Sequence, residues 1–174
     1  MAAAGDGVVI TYRPMALTDV GEVSDLLMHY LTHQEPRELA YPALGTDGPL
    51  EIAEMLRNQL MDNADWWAIC AVDGSRTVGV IIARMDVRLL GYPKRVQTVD
   101  AVVVHPDWRR ENISRSLVNL AVSEGWKRSA QVYEAAWSPH SIGDTIWPKY
   151  GYVPYRTMVV WLNEDGTPRK GNPM

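Results

Sequence analysis

The chain has 174 residues, of which 47% are hydrophobic and 22% are charged, and its net charge is −4. This length and composition are typical of one globular domain and argue against both a disordered chain and a basic nucleic-acid-binding protein. Neither a signal peptide nor a run of about 20 apolar residues is evident, so we expect a cytoplasmic protein without membrane or nucleic-acid partners. The single cysteine, Cys70, excludes an intrachain disulfide and is expected to be a buried small hydrophobe.

Patterns of apolar residues predict alternating strands and helices along the chain. Runs rich in β-branched and aromatic residues indicate strands, and apolar residues three and four positions apart indicate helices. Strands are predicted at residues 8–13, 66–72, 77–89, 95–104, 131–137 and 152–162. Helices are predicted at residues 20–31, 50–61, 112–127 and, as a short segment, 138–149.

The order of these elements predicts a mixed α/β sheet. The strands at 95–104 and 131–137 are expected to be parallel neighbours, because the helix at 112–127 crosses over between them. Asp19 and Glu22 lie three residues apart at the start of the first helix, which predicts a capping box there.

Charge is distributed unevenly along the chain. Residues 1–83 contain 12 Asp and Glu against 4 Lys and Arg, whereas residues 84–128 contain 9 Lys and Arg against 5 Asp and Glu. A basic middle suits an anionic ligand, and an acidic first half suits a cationic one. The alternative is a chance distribution of surface charge.

The most informative segment runs from Val102 to Leu117, with the sequence VVVHPDWRRENISRSL. A strand ends at Pro106, and two arginines lead into a helix. The first N–H groups of a helix have no partner within it and carry partial positive charge, so they form an anion site. The segment is therefore a candidate phosphate or pyrophosphate cradle, unless its arginines are only solvated.

Val104-His105-Pro106-Asp107-Trp108-Arg109 and the following helix resemble the acetyl-CoA motif of the GNAT superfamily of N-acetyltransferases, V-x-P-x-x-R followed by x-x-G-x-G/A. Tyr12-Arg13-Pro14 through Asp19 is similar to the family's opening strand and helix, and Tyr150-Gly151-Tyr152 to its closing Gly-aromatic motif. The resemblance covers residues 8–162 and implies one GNAT-like domain over 1–174, with a loose tail at 163–174. The implied fold is a mixed sheet of six to seven strands flanked by helices, which splays between its fourth and fifth strands.

The resemblance implies acetyl-CoA as co-substrate, with the pantetheine along the strand and the pyrophosphate on the loop. The implied binding residues are Val102, Val104, Arg109, Arg110, Glu111, Asn112, Ile113, Ser114 and Arg115. Asn112 and Ser114 stand where the family has glycines, whose missing Cβ lets the backbone approach a pyrophosphate. Asn tolerates left-handed backbone better than most residues, and the Ser hydroxyl is able to donate to phosphate.

Two further residues are implied as the catalytic base and acid. Asp100 stands where the family often has a Glu that acts as a base through water, and an acid within an apolar strand is costly unless it is paired, solvated or functional. The family's acid is a Tyr at the position of Trp147, so Tyr150 is the candidate replacement. The alternatives are a solvated Asp100 and a Tyr150 packed beneath the sheet.

These features predict an N-acyltransferase that transfers an acetyl group directly to a small-molecule amine or a basic peptide in a ternary complex. The alternative is a GNAT-fold module that has lost catalysis, for instance a phage particle component or a regulatory subunit, because Asn112, Ser114 and Trp147 depart from the family pattern. A homodimer or a larger assembly is compatible with both. No metal is expected, since His29 and His33 are helically spaced but lack an evident third ligand.

Overall fold

The computed structural model describes residues 9–32, 48–87, 95–135 and 147–152. Its strands are β1 (Ile10–Pro14), β2 (Trp66–Asp73), β3 (Arg76–Val87), β4 (Arg95–Val104) and β5 (Val132–Ala135). Its α-helices are α1 (Val20–Thr32), α2 (Gly48–Asp62) and α3 (Ile113–Lys127), and short 3-10 helices span Leu17–Asp19, Pro106–Trp108 and Trp147–Tyr150.

The five strands form one mixed sheet in the order β1-β2-β3-β4-β5. The pairs β1–β2, β2–β3 and β3–β4 are antiparallel, whereas β5 runs parallel to β4. This confirms the predicted parallel pair, because α3 carries the chain from the end of β4 back to the start of β5.

Helices cover both faces of the sheet, and alternate strand residues supply the two cores. On one face α1 and α2 pack against a cluster that includes Val103, with Ala101 beside it. On the other face α3 and Trp147 pack against a second cluster, which Val102 and Val104 adjoin. This alternation follows from the two-residue repeat of a strand and explains why β4 is apolar on both sides.

Helix α3 approaches the sheet most closely at Gly125. A Cβ on that residue would collide with the side chains of Gln97 and Tyr133, which are partners across β4 and β5. Gln97 is completely buried at this contact. The missing side chain of Gly125 therefore sets how near α3 lies to the parallel pair.

Several boundaries differ from the predictions. Pro14, expected to end the first strand, is its last paired residue, opposite Ile69. Five strands occur in the described ranges instead of six to seven, and the strand predicted at 152–162 lies outside them except for Tyr152, which is not in a strand. Residues 163–174 also lie outside, so the single domain over 1–174 stays a prediction.

The predicted capping box is wrong in its partners. The Asp19 carboxylate accepts a hydrogen bond from the backbone N–H of Ala16 at 2.7 Å. The Glu22 carboxylate accepts one from the N–H of Thr77 at 2.7 Å, far away in sequence. A neighbouring strand competes for Glu22, which the local spacing could not reveal.

Within the described helices, none has both the length and the apolar character required to span a bilayer.

Candidate active site

A β-bulge in β4 separates Asp100 from the regular ladder. Ala83 of β3 pairs with Val99 and Ile82 pairs with Ala101, so Asp100 is left without an opposite residue. The described pairing with β5 ends one residue earlier, at Val99 opposite Ala135. Bulges of this kind reorient side chains and are frequent next to active sites.

The Asp100 carboxylate forms an ion pair with the guanidinium of Arg84. Asp100 is an exposed residue with 32% of its side chain accessible, so it is only partly desolvated. This partial desolvation raises the pKa of Asp100 above its ordinary value and outweighs the opposing attraction of Arg84. The nearby Asp86 carboxylate reinforces the rise in pKa by repulsion. A carboxylate with a raised pKa is a better proton acceptor than an ordinary aspartate, which is the property that a general base needs.

The loop that follows β4 is fixed to the β2–β3 hairpin. The indole Nε1 of Trp108 donates a hydrogen bond to Asp73 at 3.2 Å. The guanidinium of Arg76 lies over the Trp108 ring, 4.8 Å from its centroid. The N–H of Arg109 closes the 3-10 turn on the carbonyl of Pro106 at 3.2 Å. These contacts fix the position of the loop that leads from β4 into α3.

Beyond this anchor the backbone adopts an unusual conformation. Arg110 and Asn112 have φ angles of 73° and 57°, in the left-handed region that glycine favours. The N–H groups from Arg110 to Arg115 donate to no backbone acceptor that the structure describes. Left-handed residues in a turn commonly point consecutive N–H groups into one concavity and so create an anion-binding nest.

Charge and side chains around the loop fit a phosphate group. Arg109, Arg110 and Arg115 are exposed, and within the described residues none of them forms an ion pair. Asn112, which stands where the sequence resemblance predicts a glycine, adopts a left-handed conformation. The strained Arg110 was not foreseen, because nothing in its residue type favours a positive φ.

The remaining residues predicted to contact the cofactor occupy different environments. The side chain of Ile113 is buried in the core beneath α3, so only its backbone is free to contact a ligand. Val102 and Val104 are half-buried on the α3 face of β4. Glu111 is exposed at the tip of the loop.

Tyr150 lies beside the first turn of α3. Its hydroxyl is 3.3 Å from the Oγ of Ser114, within hydrogen-bonding distance. Its ring packs edge-on against the buried Trp147, with the ring centroids 6.2 Å apart. Ser114 and Tyr150 belong to separate sequence motifs, but their hydroxyl groups are within hydrogen-bonding distance. Trp147 is part of the core.

Sequence reasoning missed a group of polar residues around Asp100. Arg84 Nε lies 3.1 Å from an oxygen of Asp86, whose other oxygen accepts a hydrogen bond from Thr98 at 2.7 Å. The signal available in the sequence was the alternation of β3, where Arg84 and Asp86 stand two positions apart after the apolar run 78–83 and therefore share one face.

A groove of about 280 Å³ lies on the face of the sheet that α1 covers. It is next to the C-terminal end of β4, away from the bulge. Glu22 and Asp25 line it from α1, and Thr77 and His105 line it from the sheet. Burial lowers the pKa of His105, and the charge of Arg76 lowers it further. The groove therefore has two carboxylates and the His29 imidazole on its α1 wall, and the Arg76 guanidinium and the His105 imidazole on its sheet wall.

Cys70 is buried, as predicted, and burial raises the pKa of its thiol to about 12. It therefore stays protonated at neutral pH and is not a nucleophile. No cluster of three potential metal ligands occurs in the described ranges, and His33 lies outside them.

Comparison with solved structures identifies the fold. An aminoglycoside N-acetyltransferase in complex with CoA matches 92% of this chain over 99% of its own, with a TM-score of 0.72 and 13% identity. A predicted acetyltransferase with acetyl-CoA from Clostridium acetobutylicum matches 89% of this chain over 96% of its own, with a TM-score of 0.72 and 16% identity. A ribosomal-protein-alanine N-acetyltransferase from Brucella melitensis biovar Abortus 2308 matches 89% over 100%, with a TM-score of 0.67 and 18% identity.

The chain is therefore a GNAT-fold protein, as the sequence resemblance implied. No protein-family model matches the sequence, and no curated protein sequence does. At these identities the likeness carries the fold, and the activity must be argued from the site.

Proposed function

We propose that this protein is an acetyl-CoA-dependent N-acyltransferase that acetylates an amine by direct transfer in a ternary complex. One observation carries the proposal. The bulged Asp100 and the left-handed loop at Arg110 and Asn112 stand at the two ends of a single stretch of chain. Along that stretch, from Asp100 to Val104, β4 has a described partner strand on one side only. Acyl transfer from a CoA thioester uses this combination. The strand edge and the anion cradle bind the cofactor, and the base deprotonates the acceptor amine.

The residues present suit the co-substrate. The N–H groups and arginines of the loop 109–115 would hold the pyrophosphate, and the edge of Val102–Val104 that has no described partner strand would receive the amides of the pantetheine. Acetyl-CoA supplies a thioester carbonyl, the electrophile for the amine. The shared fold includes acetyltransferases solved with CoA or acetyl-CoA, which supports the assignment.

The side chains divide the proton transfers between them. Asp100 takes one proton from the substrate ammonium, which frees the nitrogen lone pair to form the new C–N bond. As the C–S bond breaks, its electron pair stays on sulfur, and the Tyr150 hydroxyl donates a proton there directly or through one water. The second proton lost by the nitrogen restores that hydroxyl. The closeness of Ser114 to Tyr150 supports this role by fixing the hydroxyl near the loop.

The acceptor is proposed to be a cationic small-molecule amine or a basic peptide. The groove on the α1 face has carboxylates of Glu22 and Asp25 on one wall, and Asp100 lies on the same side of the sheet. Acidic walls raise the local concentration of cations. Two structural neighbours are named for aminoglycoside and ribosomal-protein-alanine acetylation, which makes these acceptor types a rational first choice.

Cofactor binding is tested by thermal unfolding and calorimetry. Acetyl-CoA at a hundred times its dissociation constant should stabilise the protein by about 2.7 kcal/mol. Arg109→Ala should weaken binding roughly tenfold, the order expected for the loss of one charge-assisted hydrogen bond, and less at high salt. Arg57→Ala removes the same charge from the exposed side of α2 and is the matched control. Unchanged affinity in Arg109→Ala would refute the loop assignment.

Turnover is tested by thiol release from acetyl-CoA with an aminoglycoside and with a peptide bearing an N-terminal alanine. Tyr150→Phe should slow release by about 10²-fold without changing cofactor affinity. A rate in Tyr150→Phe equal to that of the parent would remove Tyr150 from the mechanism. A parent protein that neither binds acetyl-CoA nor releases thiol would instead support the non-catalytic module, which the buried Trp147 at the family's acid position favours.

A further inference from the structure

Arg84 lies at the centre of a series of linked polar side chains that reaches the bulge. From Thr98, hydrogen bonds and ion pairs lead through Asp86 and Arg84 to Asp100. We infer that Arg84 is a positioning residue, which orients the Asp100 carboxylate and keeps it ionised so that it can take the proton of the acceptor ammonium. The inference rests on the proposed function and deepens it, because it names what controls the base.

The geometry supports an orienting role. Arg84 and Thr98 are directly opposite in the antiparallel register of β3 and β4, on the face that α1 covers. The guanidinium uses Nε for Asp86 and Nη1 for Asp100, so one planar group is held at two points. A guanidinium already fixed by Asp86 loses less conformational freedom when it binds Asp100 than a free side chain would. Asp100 is an unpaired bulge residue, and among the described residues its carboxylate has no side-chain partner other than Arg84.

The electrostatics support control of charge. Burial and the repulsion of Asp86 favour a protonated Asp100, and Arg84 opposes both. The elements packed on this face add no other described charge acting on Asp100. Helix α1 brings the phenol of Tyr30 to the adjoining core, and α2 brings the apolar Leu56 and Leu60. Without Arg84, a partly desolvated carboxylate beside Asp86 would hold its proton to higher pH and be less available as a base.

Direct titration of the Asp100 carboxyl by carbon-13 NMR tests this without cofactor or turnover. In Arg84→Met the midpoint should move upward by about one pH unit, since an adjacent opposite charge typically lowers a carboxyl pKa by one or more. Arg84→Lys should restore most of the parent value. Asp86→Asn should move the midpoint in the opposite direction, downward, because it removes the repulsion. Arg57→Met, on the exposed side of α2, is the control and should leave the midpoint unchanged.

The kinetic test compares the acid limb of the kcat/KM profile for thiol release across the same variants. The limb should move upward in Arg84→Met and downward in Asp86→Asn, each with unchanged acetyl-CoA affinity. If Arg84→Met does not fold, Asp86→Asn still tests the inference, because its midpoint and acid limb must both move downward. Turnover whose acid limb stays in place in every variant would overturn the inference alone. A parent without turnover would overturn the proposed function, and the inference with it.

Discussion

Two arginine–aspartate pairs in this protein have opposite consequences for the carboxylate. Asp19 is held by Arg13, with Nη2 at 2.8 Å from Oδ1, and also accepts the backbone N–H of Ala16. These hydrogen bonds outweigh burial and lower the pKa of Asp19. Asp100 is held by Arg84 and is far more exposed than Asp19, but its partial desolvation prevails and raises its pKa.

The difference lies in the remaining neighbours of each carboxylate. Asp19 receives a second donor from the backbone, whereas Asp100 has no described backbone donor and faces the repulsive Asp86. A carboxylate with enough hydrogen-bond donors therefore stays ionised and helps to hold the fold together. A carboxylate with fewer donors keeps a raised pKa and accepts a proton more readily. Asp19 ties the end of β1 to the start of α1, and Asp100 is left with a destabilised charge at the bulge.

The largest effect is expected at Asp100. Asp100→Asn should reduce turnover by at least about 10²-fold, the contribution typical of a general base, with unchanged acetyl-CoA affinity. Thiol release and calorimetry on the same preparation measure both. Asp62→Asn, at the exposed end of α2, should be indistinguishable from the parent. Full activity in Asp100→Asn would make the bulge pair structural, like that of Asp19.

The next largest effect concerns stability at Asp19. Asp19→Asn should lower the free energy of unfolding by about 2 kcal/mol, because it weakens hydrogen bonds to a buried charged group. Urea unfolding at pH 7 is the measurement, with Asp62→Asn again as control. Asp100→Asn should cause no comparable loss, since it removes a carboxylate that burial disfavours. Equal losses in the two variants would erase the distinction between the pairs.

The pH dependence of stability should separate the pairs by sign. The depressed pKa of Asp19 stabilises the fold above the ordinary carboxyl value of 3.8, and this contribution is lost as the pH falls through the folded-state pKa. The raised pKa of Asp100 acts oppositely, so protonation relieves its cost as the pH falls through that pKa. From pH 7 to pH 3, Asp19→Asn should lose less stability than the parent and Asp100→Asn more, each by about 1 kcal/mol or less. Parallel pH curves would contradict this.

The smallest effect tests the geometry of the structural pair. Arg13→Lys keeps the charge but loses the two-armed contact with Asp19, so it should destabilise by about 0.5–1 kcal/mol. The Arg13 side chain is 43% exposed, which limits the effect through solvent screening. Differential scanning calorimetry against Arg57→Lys measures it. A loss as large as that of Asp19→Asn would mean that the fork geometry dominates the interaction.

Much of the fold could be predicted because its signals are local. The apolar alternation of β2 to β4 and the helical spacing of α1 and α3 lie within short stretches of sequence, and a crossover helix forces β5 to be parallel to β4. The arginine-rich loop and the left-handed Asn112 were also readable, since strand end, proline and helix start are adjacent in the chain.

Only the tertiary structure decided which partners the polar groups have. Glu22 bonds to Thr77 instead of capping its own helix, and Tyr150 reaches Ser114 at 3.3 Å. Arg84 meets Asp100 because a bulge brings an unpaired residue of β4 beside β3. Burial and competing partners determine these contacts, and neither is a property of local sequence spacing. The sequence by itself determined which residues form strands and helices and where the arginine-rich loop lies, whereas the packing of the sheet determined which carboxylate has its pKa lowered by hydrogen bonds and which has its pKa raised by desolvation.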